Sequence, residues 1–302
     1  MEHNGDLAQA AAFWDDITAG HFQDGVYMRR EEWQTHPATI AQRRRLLGDR
    51  GTAEWLVERL PGRVDRALGA GCGTAKFEID LLESGVVQHF DLFDVSSTSL
   101  ALATARAEKL GVADRITVHC GDLLAAPASD YGLVTFVNSL HHALDVATTV
   151  GFAHELLRPE GVLFADEYIG PRRFGYPPEH ANLVKALYRA LAPELRCQWP
   201  ELPQPDPIDV AAADPTEAVQ SDLIVDAVRA RFDDMELAPI YGALPFILWW
   251  GLDHDALWDT QPGRDFAEFV LTLDTLMGES GALPPYFSLI LARRARTPLS
   301  ST

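Results

Sequence analysis

The chain has 302 residues, of which 47% are hydrophobic and 23% charged, the balance of an ordinary globular protein, and extensive disorder is excluded. Lysine and arginine number 25 against 44 aspartates and glutamates, a formal charge of −19. A chain this acidic repels phosphate backbones and anionic lipid surfaces unless its cations are concentrated. Its basic run, Arg43-Arg44-Arg45, is short and is followed by Asp49 and Glu54, so neither nucleic acid nor membrane is expected as a partner. Cys72, Cys120 and Cys197 are odd in number and widely spaced, which argues against a disulfide framework. With no basic n-region and apolar h-region at the start, the expected compartment is the cytoplasm.

In chain order, residues 7–17 and 39–60 carry apolar residues at helical spacing, so 1–62 is expected to be an N-terminal helical segment. From 63 to 170 short β-prone runs alternate with helical ones, the pattern of a parallel sheet with crossover helices. Strands are predicted at 64–68, 89–93, 116–120, 133–137 and 162–165, and helices at 75–83, 98–110 and 146–157. Residues 171–220 are rich in proline, leave room for one helix at 180–191, and read as a lid inserted after the fifth strand. In 221–302 a helix at 221–231 and strands at 235–241 and 286–292 complete the sheet. A helical cap occupies about 243–283, with a helix at 265–276. Its aromatic run, Tyr241, Phe246, Trp249, Trp250 and Trp258, is read first as the core of that cap and second as a pocket for an apolar, planar or cationic ligand.

The first strand runs straight into Gly69-Ala70-Gly71-Cys72-Gly73-Thr74. Glycines at a strand-to-helix turn let a ligand lie against bare backbone and a helix N-terminus. The spacing is GxGxG rather than GxGxxG, which weakens a dinucleotide site because the third glycine that packs helix against strand is missing. Asp94, at the end of the second strand, stands where two carboxylate oxygens can take a ribose hydroxyl pair. At the end of the third strand, Asp122 can accept from an exocyclic amine and Leu123 can pack on an adenine face. Three polar features at successive strand ends converge on one crevice.

These residues resemble class I S-adenosylmethionine-dependent methyltransferases. Leu68 to Ala75 looks like the family's "LDLGCGTG" turn, Phe93-Asp94-Val95-Ser96 like its "vDiS" motif, Gly121-Asp122-Leu123 like "gDl", and Leu156 to Leu163 like "LkPGG.l". Asp166-Glu167-Tyr168-Ile169-Gly170-Pro171 with Arg173-Phe174 is similar to a bacterial subgroup carrying "NEYVGPSRFQW", and 213–219 fits it too. The resemblance implies an α/β, Rossmann-like fold with a mostly parallel seven-stranded sheet. It implies S-adenosyl-L-methionine bound by Gly69, Ala70, Gly71, Gly73, Asp94, Val95, Gly121, Asp122, Leu123 and Asn138. Two departures stand out: Gly69 where the family has an acid near the methionine end of the cofactor, and Ala75 where it has a glycine.

Methyl transfer from a sulfonium needs the nucleophile held in line and, where the nucleophile carries a proton, a group to take it. The resemblance puts the methyl near the ends of strands four and five. His141 and His142 follow the fourth strand, and an unperturbed histidine titrates near neutral pH and could act as a base; loop anchoring is the plainer role for the pair. Asp166 and Tyr168 share one face of the fifth strand and Glu167 takes the other. Glu167 is a candidate base, a substrate clamp, or a partner of Arg172 or Arg173. His141, Glu167, His142 and Tyr168 are therefore the catalytic candidates. A His–Glu pair without a third ligand does not make a metal site, and no metal is expected.

The reading is methyl transfer to a small-molecule acceptor such as a natural product, with oxygen the expected atom and nitrogen and carbon open. A homodimer is the candidate assembly. The alternatives are a protein that uses the cofactor without losing its methyl, in a cyclisation or rearrangement, and a nicotinamide-dependent oxidoreductase.

Overall fold

The computed structural model describes residues 2–23, 26–27, 32–127, 130–197 and 199–295. Helices α1 (Glu2–His21), α2 (Pro37–Leu46) and α3 (Thr52–Val57) precede the sheet. The helix expected at 39–60 is broken: Gly48 and Asp49 adopt positive φ of 69° and 63°, and the chain restarts as α3. His36 caps α2 by accepting the Ala38 N–H on Nδ1.

Seven strands form one sheet: β1 (Val64–Ala70), β2 (Val87–Asp94), β3 (Ile116–Cys120), β4 (Tyr131–Val137), β5 (Leu157–Tyr168), β6 (Asp234–Tyr241) and β7 (Phe287–Arg293). Their order is β3-β2-β1-β4-β5-β7-β6, parallel except for β7, which is antiparallel to both its neighbours. Parallel neighbours need crossovers. Helices α4 (Lys76–Glu83), α5 (Ser97–Lys109) and α6 (Val146–Leu156) supply them, close to the predicted positions. The expected fold class is the one observed. Strand order reverses between β1 and β4, where a crevice opens beyond the carboxyl ends of the strands.

Period-two alternation divides the core between the two faces. Ala67, Leu92, Leu133, Phe164, Leu289 and Leu291 face one side, and Leu68, Phe93, Val134, Phe136, Leu163 and Ile290 the other. The fifth strand is longer than the predicted 162–165, which places Glu167 and Tyr168 on the sheet itself, paired with Ser288 and Phe287.

After β5 come α7 (Pro178–Ala190) and α8 (Pro207–Ala213), then α9 (Ile224–Arg229) before β6. Helix α8 was not expected, because Pro207 reads as a breaker. It stands instead in the first turn, where no N–H is needed, behind an Asp206 side chain that accepts from Ile208. The cap holds α10 (Pro245–Leu248), α11 (His254–Asp259) and α12 (Gln261–Glu279). Leu248, Trp249, Leu257 and Val270 belong to the same buried cluster as Ala67 and Leu133 of the sheet. Trp249 is therefore core, with Phe246, Trp250 and Trp258 packed half-buried against it, which favours the first of the two expected readings.

Candidate functional site

The turn from β1 into α4 is left-handed at three residues. Gly71 has φ +59°, Gly73 +53° and Ala75 +52°. At Gly71 the constraint is also steric, since an added Cβ would come within 2.6 Å of the Ser139 Cβ. The turn is held from β2 by Asp94, whose carboxylate accepts the Gly73 N–H at 2.7 Å and the Ser96 N–H at 2.8 Å. Burial raises the Asp94 pKa and these backbone N–H bonds pull it back. Asp122 caps the short turn after β3, accepting the Leu124 N–H at 2.9 Å.

These strand ends line one cavity of about 280 Å³. Ala70, Gly71, Gly73, Asp94, Val95, Gly121, Asp122, Leu123 and Asn138 all reach it, and Gly69 does not. Gly69 lies beneath the turn, where an added Cβ would meet Glu78 Cγ at 3.0 Å and Leu92 Cδ2 at 3.1 Å. An acid nevertheless lies beside this position. Glu78, on α4, brings a buried carboxylate against the same spot and holds the Thr135 hydroxyl at 2.9 Å. Burial pushes its pKa up to about 7. Its position in α4 carried no signal; the glycine in an acid's place was the available clue.

Helix α1 closes the cavity from above with Leu7, Ala10 and Trp14. It is tied to α5 through Asp15, which accepts from the Ser96 hydroxyl (2.6 Å) and the Thr98 N–H (3.0 Å). Trp14 donates its indole N–H to Asp214 at 3.2 Å and sets its ring edge-on against His142.

The wall beyond β4 is built differently. Asn138, at φ +51°, turns the chain, and a short turn Leu140–His142 follows. Glu167 reaches across from β5. Its Oε1 accepts the N–H groups of Ser139 (2.7 Å) and Leu140 (2.6 Å), and its Oε2 lies 2.6 Å from His141 Nδ1. With both oxygens engaged and the side chain fully buried, Glu167 orients the histidine loop and does not face the cavity, which corrects its candidacy as a direct base or clamp. Its expected arginine partners are elsewhere: Arg172 pairs with Asp222, and Arg173 donates to the carbonyls of Asp214, Pro215 and Glu217.

The loop gathered by Arg173 closes the arrangement. His141 Nε2 lies 3.5 Å from Glu217 Oε1, and His142 Nε2 lies 3.9 Å from Glu217 Oε2. His142 Nδ1 is 3.1 Å from the Thr216 hydroxyl and 3.5 Å from Asp214 Oδ2. Burial opposes a proton on His141, but the carboxylates of Glu167 and Glu217 outweigh it and raise its pKa. At His142 burial is the larger effect and outweighs the pull of Glu217, lowering its pKa to about 4, so its imidazole is neutral at pH 7. Of the pair, His142 lines the cavity and His141 sits behind it.

Tyr168 is corrected as well. Its hydroxyl donates to the Pro171 carbonyl at 2.9 Å, and its ring packs among Phe174, Phe246 and Phe287. Burial raises its pKa well above the usual phenol value, and it is a core residue. A second cavity, of about 610 Å³, meets the first across Cys72 and Val137 and is edged by Arg43, Thr74, Lys76, Glu78 and Asp166.

Residues 67–161 match the family model described as a methyltransferase domain. A 148-residue stretch is 29% identical to a 27-O-demethylrifamycin SV methyltransferase of Amycolatopsis mediterranei (strain S699), covering 48% of this chain and about half (52%) of that relative. The geranyl diphosphate C-methyltransferase of Streptomyces coelicolor A3(2), solved with Mg2+, geranyl diphosphate and S-adenosyl-L-homocysteine, superposes over 96% of this chain and 97% of its own, with a TM-score of 0.57 at 12% identity. A geranyl diphosphate methyltransferase solved with GPP and sinefungin superposes over 96% and 99%, with a TM-score of 0.55 at 14% identity. The fold is therefore the Rossmann-like methyltransferase fold. The domain match and the strand-end cavity together support S-adenosylmethionine as its cofactor. Among the described residues, no helix is long and apolar enough to cross a membrane.

Proposed function

We propose that the protein transfers the methyl group of S-adenosylmethionine to a small molecule. The observation that carries this reading is the continuity of one cavity from Gly71, Asp94 and Asp122 to His142 and Thr216, which lets a cofactor and an acceptor share it. The first group of residues fits the cofactor. At Gly73 and Gly121 an added Cβ would meet nothing within 4 Å, so bare backbone is open to a ligand. Asp94 and Asp122 keep lone pairs for hydroxyl and amine donors, and Phe93 and Leu123 offer apolar surface for a base.

When bound, S-adenosylmethionine supplies an electrophilic methyl for in-line displacement. The chain's part is to hold the acceptor in line, exclude water and receive a proton. Trp14 and α1 roof the site. His142 lines the cavity and is the group placed to take the proton of a hydroxyl acceptor, though burial makes it a weak base, and Glu167 and His141 hold its loop from behind. Acceptor choice belongs to the segments around the cofactor core: residues 1–62, the insertion at 171–220, and the cap.

Calorimetry with S-adenosylhomocysteine tests the reading. We expect one molecule bound per chain and at least about tenfold weaker binding in Asp94→Ala, equivalent to about 1.4 kcal/mol. Binding of NAD in its place would return the protein to the oxidoreductases.

A further inference from the structure

We propose that His141 Nε2, His142 Nε2 and the Glu217 carboxylate form a binding site for a divalent transition-metal ion of the zinc type, open toward the cavity. Their ligand atoms lie within 4.8 Å of one another, and His141 and Glu217 come from opposite ends of a long stretch of chain brought together by the fold. A tetrahedral ion with bonds of about 2.0–2.1 Å needs ligand atoms roughly 3.3 Å apart. Glu217 approaches through both oxygens, Oε1 at 3.5 Å from His141 Nε2 and Oε2 at 3.9 Å from His142 Nε2, and with the three ligand atoms all within 4.8 Å of one another an ion draws them inward by up to about 1.5 Å.

The surroundings favour an ion over an incidental cluster. A metal-bound imidazole characteristically donates its other N–H to a carboxylate or similar acceptor, which fixes the tautomer and aims the free nitrogen. Both histidines have that support. His141 Nδ1 lies 2.6 Å from Glu167, and His142 Nδ1 faces Thr216 Oγ1 and Asp214 Oδ2. The supporting groups are themselves pinned: Glu167 by two backbone N–H groups, Asp214 by the Thr216 N–H and hydroxyl, and the whole Asp214–Glu217 loop by Arg173. With both imidazoles neutral, as ligation requires, Glu167, Asp214 and Glu217 against the Arg173 guanidinium leave two negative charges, which a divalent ion balances in place of the proton they otherwise draw onto His141. Two imidazoles and one carboxylate suit zinc, iron, nickel or copper better than magnesium or calcium, which prefer all-oxygen shells.

Three protein ligands leave a further position, which we assign to the side of His142, the one of the three that lines the cavity, with Thr216 beside it. The ligand class for that position is an oxygen donor: an alcohol, phenol or carboxylate. That assignment of the open position to the methyl acceptor rests on the function proposed above; the ion site itself does not. With the ion in place His142 is a ligand rather than a base, and the cation lowers the pKa of a coordinated hydroxyl in its stead.

The test uses the full chain, stripped with a chelator and titrated with ZnCl2 by calorimetry. One equivalent should bind, and both His142→Ala and Glu217→Gln should weaken binding at least tenfold, with thermal unfolding and S-adenosylhomocysteine binding recorded on the same samples as checks of the fold. Electron paramagnetic resonance of the Cu2+-loaded wild type, which needs no variant, should show hyperfine coupling to two imidazole nitrogens. No stoichiometric zinc binding, full retention in both variants, or a Cu2+ spectrum without two imidazoles would overturn the site. Cofactor binding without zinc binding leaves the methyltransferase reading standing and removes the metal; the converse result removes the former and leaves the latter.

Discussion

The cavity has two walls made in contrasting ways. On the cofactor side, residues 69–74, 94–95 and 121–123 each sit at the end of their own strand, and short backbone turns aim them. On the histidine side, His141 and His142 stand on one brief turn whose geometry depends on Glu167, Arg173, Asp214, Thr216 and Glu217. The first wall is local structure repeated three times along a sheet edge. The second is a tertiary network in which each side chain is held by another. A wall of the first kind tolerates change far from it, whereas one of the second kind fails when any support is removed.

Gly71 is where the walls touch, and substitution there should have the largest effect. Alanine at Gly71 must accept φ +59° and place Cβ within 2.6 Å of Ser139 Cβ, an atom too close to the backbone to swing away. Gly73→Ala meets only the conformational cost, since nothing lies within 4 Å. We expect Gly71→Ala to lose about 4 kcal/mol of stability and its S-adenosylhomocysteine binding, and Gly73→Ala to lose about 1 kcal/mol. Urea unfolding measures both. Equal losses would show that the walls are not coupled through Ser139.

Arg173→Ala should separate them. It removes three charge-assisted bonds to the carbonyls of Asp214, Pro215 and Glu217. Stability should fall by about 3 kcal/mol. Methyl transfer should drop at least tenfold, while affinity for S-adenosylhomocysteine stays within about threefold, because Arg173 does not line the cavity. A matching loss of cofactor affinity would mean that the histidine wall also shapes the cofactor site.

The same contrast explains what the sequence could disclose. Strand-end motifs are contiguous, so Asp94, Asp122 and the glycine turn could be read directly, and nine of the ten residues assigned to the cofactor line the cavity. Gly69 was misplaced because a motif does not say which of its members points down into the sheet. His141 and His142 were visible as residues, but their partner Glu217 follows in a loop whose position depends on Arg173, and no spacing rule links the two. Glu167 and Tyr168 were recognised as chemically able without any sign that their polar atoms are already engaged. Helix α8 was hidden because a proline can start a helix as well as break one.

Glu78 tests whether the cofactor wall is purely local, and its effect should be the smallest. Its folded-state pKa is about 7, above the usual 4.5, because burial disfavours the charged form. The folded protein therefore holds this proton more tightly than the unfolded chain. The resulting stability is fully present below about pH 4.5 and is lost as pH rises through about 7. His142 works in the opposite sense, its contribution being lost as pH falls from 6.5 through about 4. Comparing Glu78→Gln with the wild type isolates Glu78, because glutamine does not titrate and can keep the Thr135 contact. The variant should gain on the order of 2 kcal/mol relative to the wild type between pH 5 and pH 7, read from urea midpoints across that range. Saturation with S-adenosylhomocysteine then decides what the carboxylate is for. A cofactor ammonium within reach of Glu78 favours its charged form and shrinks that gain, as expected of the acid that stands in at position 69. A gain unchanged by the ligand would make Glu78 a filler of the space Gly69 leaves, and the cofactor wall would be as local as its motifs suggest.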